Sequence, residues 1–198
     1  MTAEFQNSRT KENLMKAFAG ESQARNRYTF AAEQAKESNL YVLSEIFEFT
    51  AEQERAHAKV FYDHLAGLAG HNITVDGTYP VDAADNLLDL LHMAHHNEME
   101  EFEDVYPAFA KVAEEEGFLP VAASFRMIAQ VEQNHAMRFQ HIAKLVEQGQ
   151  LFAATGEDVW MCLNCGHLHK GKQVPEQCPV CQHNRGYFVP VDMAPWTC

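Results

Sequence analysis

Apolar residues recur at steps of three and four along four long stretches of this 198-residue chain. That is the period of a helix with one buried face. The first stretch runs from about Lys11 to Lys36 without a proline, with Leu14, Phe18, Glu21, Arg25 and Tyr28 in register. Ser8 or Thr10 can cap it by accepting an orphan amide. The second runs from about Leu40 to Leu68 through Leu43, Ile46 or Phe47, Thr50, Glu54, His57, Phe61 and Leu65. The third is expected to start at a capping Asp82 and to pass through Leu87, Leu90 or Leu91, Ala94, Glu98, Glu101 and Val105. Pro107 should kink it, because proline removes a helical donor, and Gly117 should stop it. The fourth starts at Pro120 and carries Phe125, Ile128, Glu132, His135, Phe139, Ile142 and Val146 up to Gly149. Residues 1–7 read as a loose terminus. Residues 69–81, with Gly70, Asn72, Gly77 and Pro80, read as one long crossover.

Carboxylates interrupt the apolar stripes. A buried carboxylate is costly unless it is paired or bound to a cation, so Glu21, Glu54, Glu98, Glu101 and Glu132 call for a common purpose. Glu54-x-x-His57 and Glu132-x-x-His135 each put a carboxylate and an imidazole on one helix face. Glu21 precedes Glu54 by 33 positions and Glu98 precedes Glu132 by 34, so the halves read as two copies of a helical hairpin. Two Glu-x-x-His helices, each faced by a helix supplying Glu, form the carboxylate di-iron site of a ferritin-like four-helix bundle. Mixed oxygen and nitrogen donors suit iron or manganese. Tyr28 and Tyr106 lie near Glu21 and Glu101 and are candidates to hydrogen-bond the pocket. One Glu-x-x-His alone would read as surface; two in register with further glutamates outweigh that. The other histidines, among them His92, His95 and His96, show no ligand spacing and read as solvated or packed.

The pattern changes after Gly149. Residues 150–158 have no clear period and read as a linker. From Val159 to Cys198 short β-type runs surround Cys162-x-x-Cys165 and Cys178-x-x-Cys181. The expected division is a bundle over 1–149, the linker, and a metal-binding module over 159–198. So small a module needs a clamp, and four thiolates make a tetrahedral site for zinc or a single iron. Pairing with a di-iron bundle favours iron. Trp160, Tyr187, Phe188 and Trp196 read as module core, and Cys198 as an unpaired bystander.

Charge and hydropathy narrow the function. A formal net charge of −13 argues against a general nucleic-acid binder. No run of about 18 apolar residues is present, and the start lacks a signal pattern. A cytoplasmic location is the expectation. Five cysteines in the last 37 residues, four of them in two Cys-x-x-Cys pairs, mean metal or redox chemistry in a reducing compartment.

These motifs resemble the rubrerythrin family. Gly20-Glu21-Ser22-Gln23-Ala24-Arg25-Asn26-Arg27-Tyr28 is similar to its first-helix signature. Glu54-x-x-His57, Glu98-x-x-Glu101 ahead of Tyr106-Pro107, and Glu132-x-x-His135 follow in the family's order. The Cys-x-x-Cys-Gly and Cys-Pro-x-Cys tail resembles rubredoxin. The text around Glu98 departs from the usual wording, but its Glu-x-x-Glu spacing survives. The resemblance implies a non-haem di-iron peroxidase that reduces hydrogen peroxide to water in oxidative-stress defence. It implies Glu54 and Glu132 as bridges, Glu21 and Glu101 on one iron, and Glu98 and His135 on the other, with His57 exchanging for Glu101 on reduction. It also implies an Fe(Cys)4 relay fed by a rubredoxin or an NAD(P)H-dependent reductase, in a head-to-tail homodimer or tetramer. Iron handling as a ferroxidase uses the same ligands and is the alternative. A zinc-ribbon adaptor on a helical scaffold is the non-enzymatic one.

Overall fold

The computed structural model describes residues 3–195. Cys198 and Trp196, and the readings attached to them, lie outside the described residues. A short helix α1 (Ala3–Gln6) is followed by α2 (Arg9–Glu37), α3 (Tyr41–His64), α4 (Leu87–Glu100), α5 (Tyr106–Glu115) and α6 (Leu119–Glu147). The most extensive packing is α2 on α3 and α4 on α6. Among the described residues no helix is long and apolar enough to cross a membrane.

The stripes of the sequence become two apolar plugs with a polar layer between them. One plug contains Tyr28, Phe47, Leu91, Phe139 and Ile142. The other contains Leu14, Phe61, Tyr106, Phe125 and Ile128. Helices α2, α3 and α6 contribute to both plugs, α4 to the first and α5 to the second, and the Glu and His residues fall between them. Phe47, Phe61, Phe125 and Phe139 are wholly buried, and each such ring contributes roughly 2–3 kcal/mol by leaving water. That burial offsets the cost of holding carboxylates inside.

The N-terminal segment differs from the loose terminus expected. Residues 3–6 form a helical turn because Phe5 is an apolar anchor, 6% exposed, packed edge-on against Phe118. Ser8 caps α2, its Oγ accepting from Lys11 N at 3.0 Å. Glu116, just after α5, reaches the same helix end. It accepts from the backbone N–H of Arg9 and Thr10 and from the Thr10 hydroxyl at 2.6 Å.

Asp82 does not cap α4. The helix starts five residues later, where Asn86 Oδ1 accepts from Asp89 N. The Asp82 carboxylate is taken instead by Arg27 and by Asn97, and this partly buried triad fastens the crossover to α2 and α4. The irregularity expected at Pro107 appears just before it. Residues Glu101–Val105 form a π-helical stretch, and Tyr106 N–H bonds to Glu101 O, five residues back. Pro107 then sits in the first turn of α5, where its missing donor costs least.

Three strands follow: β1 (Ala153–Cys162), β2 (Leu168–Gln173) and β3 (Phe188–Pro190), in the antiparallel order β2-β1-β3. Six residues of the stretch expected as linker, 153–158, belong to β1, whose pairing is irregular between Ala153 and Asp158. That irregularity hides the alternation by which a strand is read. Trp160, Cys162, Val174, Cys178 and Phe188 form the module's core. The module rests on the turn between α2 and α3. Tyr187 stacks on Tyr41 with ring centroids 4.0 Å apart, and Gly186 lies against the Asn39 carbonyl.

Candidate di-metal centre and four-thiolate site

The polar layer holds two groups of four ligands. Glu21, Glu54, His57 and Glu132 form one, and Glu54, Glu98, Glu132 and His135 the other, each with ligand atoms within 4.8 Å of one another. Glu54 and Glu132 are common to both. His57 Nδ1 lies 2.9 Å from Glu132 Oε1, 3.2 Å from Glu54 Oε2 and 3.7 Å from Glu21 Oε2. His135 Nδ1 lies 2.9 Å from both Glu54 Oε1 and Glu132 Oε2, and 3.6 Å from Glu98 Oε2. The imidazoles stand nearly parallel, centroids 5.5 Å apart. Glu101 belongs to neither group; it is half-buried at the start of the π-helical stretch.

The electrostatics are those of a cation site. Burial pushes Glu21 up to about 8, and it also raises Glu98, Glu101 and Glu132, with neighbouring carboxylates adding to the effect. Burial opposes ionisation of Glu54 too, but hydrogen bonding to His135 and His57 overrides it and holds Glu54 near 2. Burial disfavours charge on the imidazoles, yet the surrounding carboxylates lift His57 to about 10 and His135 to about 11. Protons are thus drawn to the place where positive charge is wanted.

Metal fit follows from orphaned atoms. Among the described residues, Glu21 Oε2, Glu54 Oε1, Glu98 Oε2, both Glu132 oxygens and His135 Nδ1 are buried with no aligned hydrogen-bond partner. Of the close N···O approaches above, His57 Nδ1 to Glu54 Oε2 has hydrogen-bond geometry, and those at the orphaned atoms do not. Buried polar atoms are rarely left so, and these converge. Five hard oxygens and an imidazole nitrogen suit iron.

The surroundings brace the ligands. Tyr28 donates its hydroxyl to Glu98, and Tyr106 donates to Glu21. Burial raises both phenols well above their ordinary value, so they keep their protons. His135 Nε2 faces Gln53 Oε1 at 3.1 Å. Arg138 donates to the same oxygen at 3.0 Å and to Thr50 Oγ1 at 2.9 Å. A second partner of this kind fixes the tautomer of a ligating histidine. Gln53 and Arg138 were missed in the sequence. Arg138 follows His135 by three positions, a signal that could have marked it; Gln53 has none.

In the module, Cys162, Cys165, Cys178 and Cys181 gather with their sulfurs within 4.8 Å. Cys162 faces Cys181, and Cys165 faces Cys178, each at 3.7 Å. Each knuckle turns through a left-handed residue, Gly166 (φ 75°) and Gln182 (φ 63°). Burial pushes the Cys162 thiol up to about 12, while the His183 amide pulls Cys181 down to about 6. The four-sulfur set fits one tetrahedral iron and also fits zinc.

A family model described as rubrerythrin matches residues 12–143, and one described as the rubredoxin-like domain of rubrerythrin matches 160–189. The chain belongs to the rubrerythrin family. Rubrerythrin-1 of Clostridium acetobutylicum is 46% identical over 183 residues, 91% of this chain and 93% of that protein. The rubrerythrin of Porphyromonas gingivalis is 42% identical over 191 residues, 96% and 94% of the two chains. A solved structure of partially reduced nigerythrin superposes with a TM-score of 0.63 at 29% identity, covering 96% of this chain and 91% of that one. The bacterioferritin of Desulfovibrio desulfuricans, 22% identical with a TM-score of 0.65 over 76% and 86% of the chains, shares the fold. Rubrerythrins are generally oxidoreductases that pair a di-iron bundle with a rubredoxin-like module. They typically receive electrons from rubredoxin-like partners.

Proposed function

We propose that this rubrerythrin is a non-haem di-iron peroxidase that reduces hydrogen peroxide to water. The observation that carries the reading is the pair of ligand groups sharing Glu54 and Glu132. With iron bound, these two would serve both metals. Glu21 and His57 would complete one side, and Glu98 and His135 the other. Glu101, in neither group, would be the carboxylate able to take the place of His57. When bound, two ferrous ions supply both electrons that the O–O bond takes up.

The protein's own residues do the rest. The two apolar plugs keep bulk water from the layer. Tyr28 and Tyr106 hold Glu98 and Glu21 as un-ionised donors. Gln53, braced by Arg138, keeps the His135 proton on Nε2, which leaves Nδ1 free to ligate.

The same proposal divides the chain into the bundle up to residue 149, a short connection over 150–152 and the module from Ala153, where β1 starts. Iron held by Cys162, Cys165, Cys178 and Cys181 would supply one-electron transfer from a rubredoxin or an NAD(P)H-dependent reductase. The working form is a cytoplasmic head-to-tail homodimer or tetramer. Glu54→Ala tests the reading: peroxide turnover is expected to vanish while the ferric-thiolate spectrum of the module persists. Unchanged turnover would overturn the assignment.

A further inference from the structure

Glu21, Glu54, Glu98, Glu132 and His135 are sealed from solvent, but Glu101 is not. It lines an open groove of about 490 Å3 together with Gly20, Tyr79, Glu100, Tyr106 and Phe109. Tyr106 is the residue whose hydroxyl holds Glu21, so the groove ends one hydrogen bond from the carboxylate layer. One water needs roughly 10–15 Å3 by this measure. The groove therefore takes a molecule several times larger than hydrogen peroxide.

The crossover supplies one wall, and Tyr79 is the largest side chain it contributes. The ring lies over Gly20, where an added Cβ would sit 3.6 Å from it. Its hydroxyl donates to Lys16 O at 3.0 Å. Gly77 makes room for the folded-back ring: a Cβ there would come within 2.8 Å of it. Lys16 pairs with Asp76 at 3.3 Å and draws the same segment onto α2. Tyr79 is 37% exposed, so it stands at the mouth, with Tyr106 behind it. Glu100 makes the passage acidic, and Lys16 is already paired. Such a passage disfavours anions and admits neutral molecules.

We infer that this groove is the substrate's path, that the substrate class extends from hydrogen peroxide to small neutral alkyl hydroperoxides, and that Tyr79 sets the size that passes. The inference rests on the peroxidase reading above. An alkyl hydroperoxide ROOH takes up two electrons and two protons, and its O–O bond breaks. One oxygen leaves as the alcohol ROH and the other as water. The electrons are the two that the proposed reaction already delivers to hydrogen peroxide.

The test compares tert-butyl hydroperoxide with hydrogen peroxide in the iron-loaded protein and in Tyr79→Ala, Tyr79→Phe and Gly77→Ala. A size barrier is worth about tenfold. Tyr79→Ala and Gly77→Ala are expected to raise kcat/KM for the bulky substrate by about that factor over hydrogen peroxide, and Tyr79→Phe to leave the ratio near its original value. A readout free of turnover accompanies it. Gln23→Cys places a thiol in the groove wall, and its alkylation by iodoacetamide, followed by peptide mass spectrometry, should speed up when Tyr79→Ala is added. Faster alkylation with an unchanged substrate ratio would overturn the inference alone. Failure of the unsubstituted protein to reduce hydrogen peroxide would overturn the peroxidase reading and the inference together.

Discussion

The hydroxyl of Tyr106 donates to Glu21, and the counterpart bond, Tyr28 to Glu98, runs the other way between the two halves of the bundle. Each half thus holds a carboxylate of the other. Tyr106→Phe deletes one of these donors in a sealed pocket. A lost partner of a buried carboxylate costs about 1–3 kcal/mol. The variant should unfold at lower urea than the unsubstituted protein and turn over peroxide more slowly. Equal midpoints would mean that the hydroxyl does not hold Glu21.

Glu116 ties the end of α5 to the start of α2 through Arg9 and Thr10. Partial burial raises its pKa, but hydrogen bonds from the Thr10 hydroxyl and from the Thr10 and Arg9 amides outweigh this and lower it. A carboxylate lowered in the folded state adds stability above its unfolded pKa and loses it as pH falls through the folded value. Glu116→Gln should therefore cost up to about 1 kcal/mol at neutral pH, with solvent screening reducing it. The difference should begin to shrink below the ordinary glutamate value of about 4.3 and close only once pH falls below the lowered folded value. Urea unfolding at pH 7 and in acid reads both points; a pH-independent difference would contradict the assignment.

Gly186 holds the module on the bundle. A Cβ there would collide with the Asn39 carbonyl oxygen, which is backbone and has little freedom to move. Overpacking of this kind costs about 1–3 kcal/mol. Gly186→Ala should undock the module without opening its four-thiolate site. Limited proteolysis around residues 150–152 should speed up, while the spectrum of the thiolate centre stays unchanged. An unchanged digestion rate would show that the contact does not secure the module.

How much of this was legible in the sequence depends on the element. The helices, the crossover and the gathering of Glu21, Glu54, His57, Glu98, Glu132 and His135 in one layer followed from period and from carboxylates set in apolar stripes, whereas Glu101, expected with them, lies in neither group. The π-helical stretch did not, although its trace is there. Tyr28 follows Glu21 by seven positions and Tyr106 follows Glu98 by eight. The second half carries one extra residue, and a single-residue insertion in a helix is accommodated as a π-bulge, frequently at functional sites. A proline two residues later drew the expected distortion to the wrong place. The tertiary use of Asp82 was also hidden. Asp is a good helix cap in any sequence, and only the fold brings Arg27 and Asn97 to it. Tyr79 and Gln53 carry no periodic signal, since their partners lie on other helices.

The most direct test is metal content with the visible spectrum of the purified protein, taken before and after anaerobic peroxide is added to the reduced form. The account predicts about three irons per chain, two in the carboxylate bundle and one among the four thiolates of the module. It also predicts ferric-thiolate colour that peroxide restores quickly. Zinc in the module with no colour, or a reduced iron protein that peroxide leaves reduced, would contradict it.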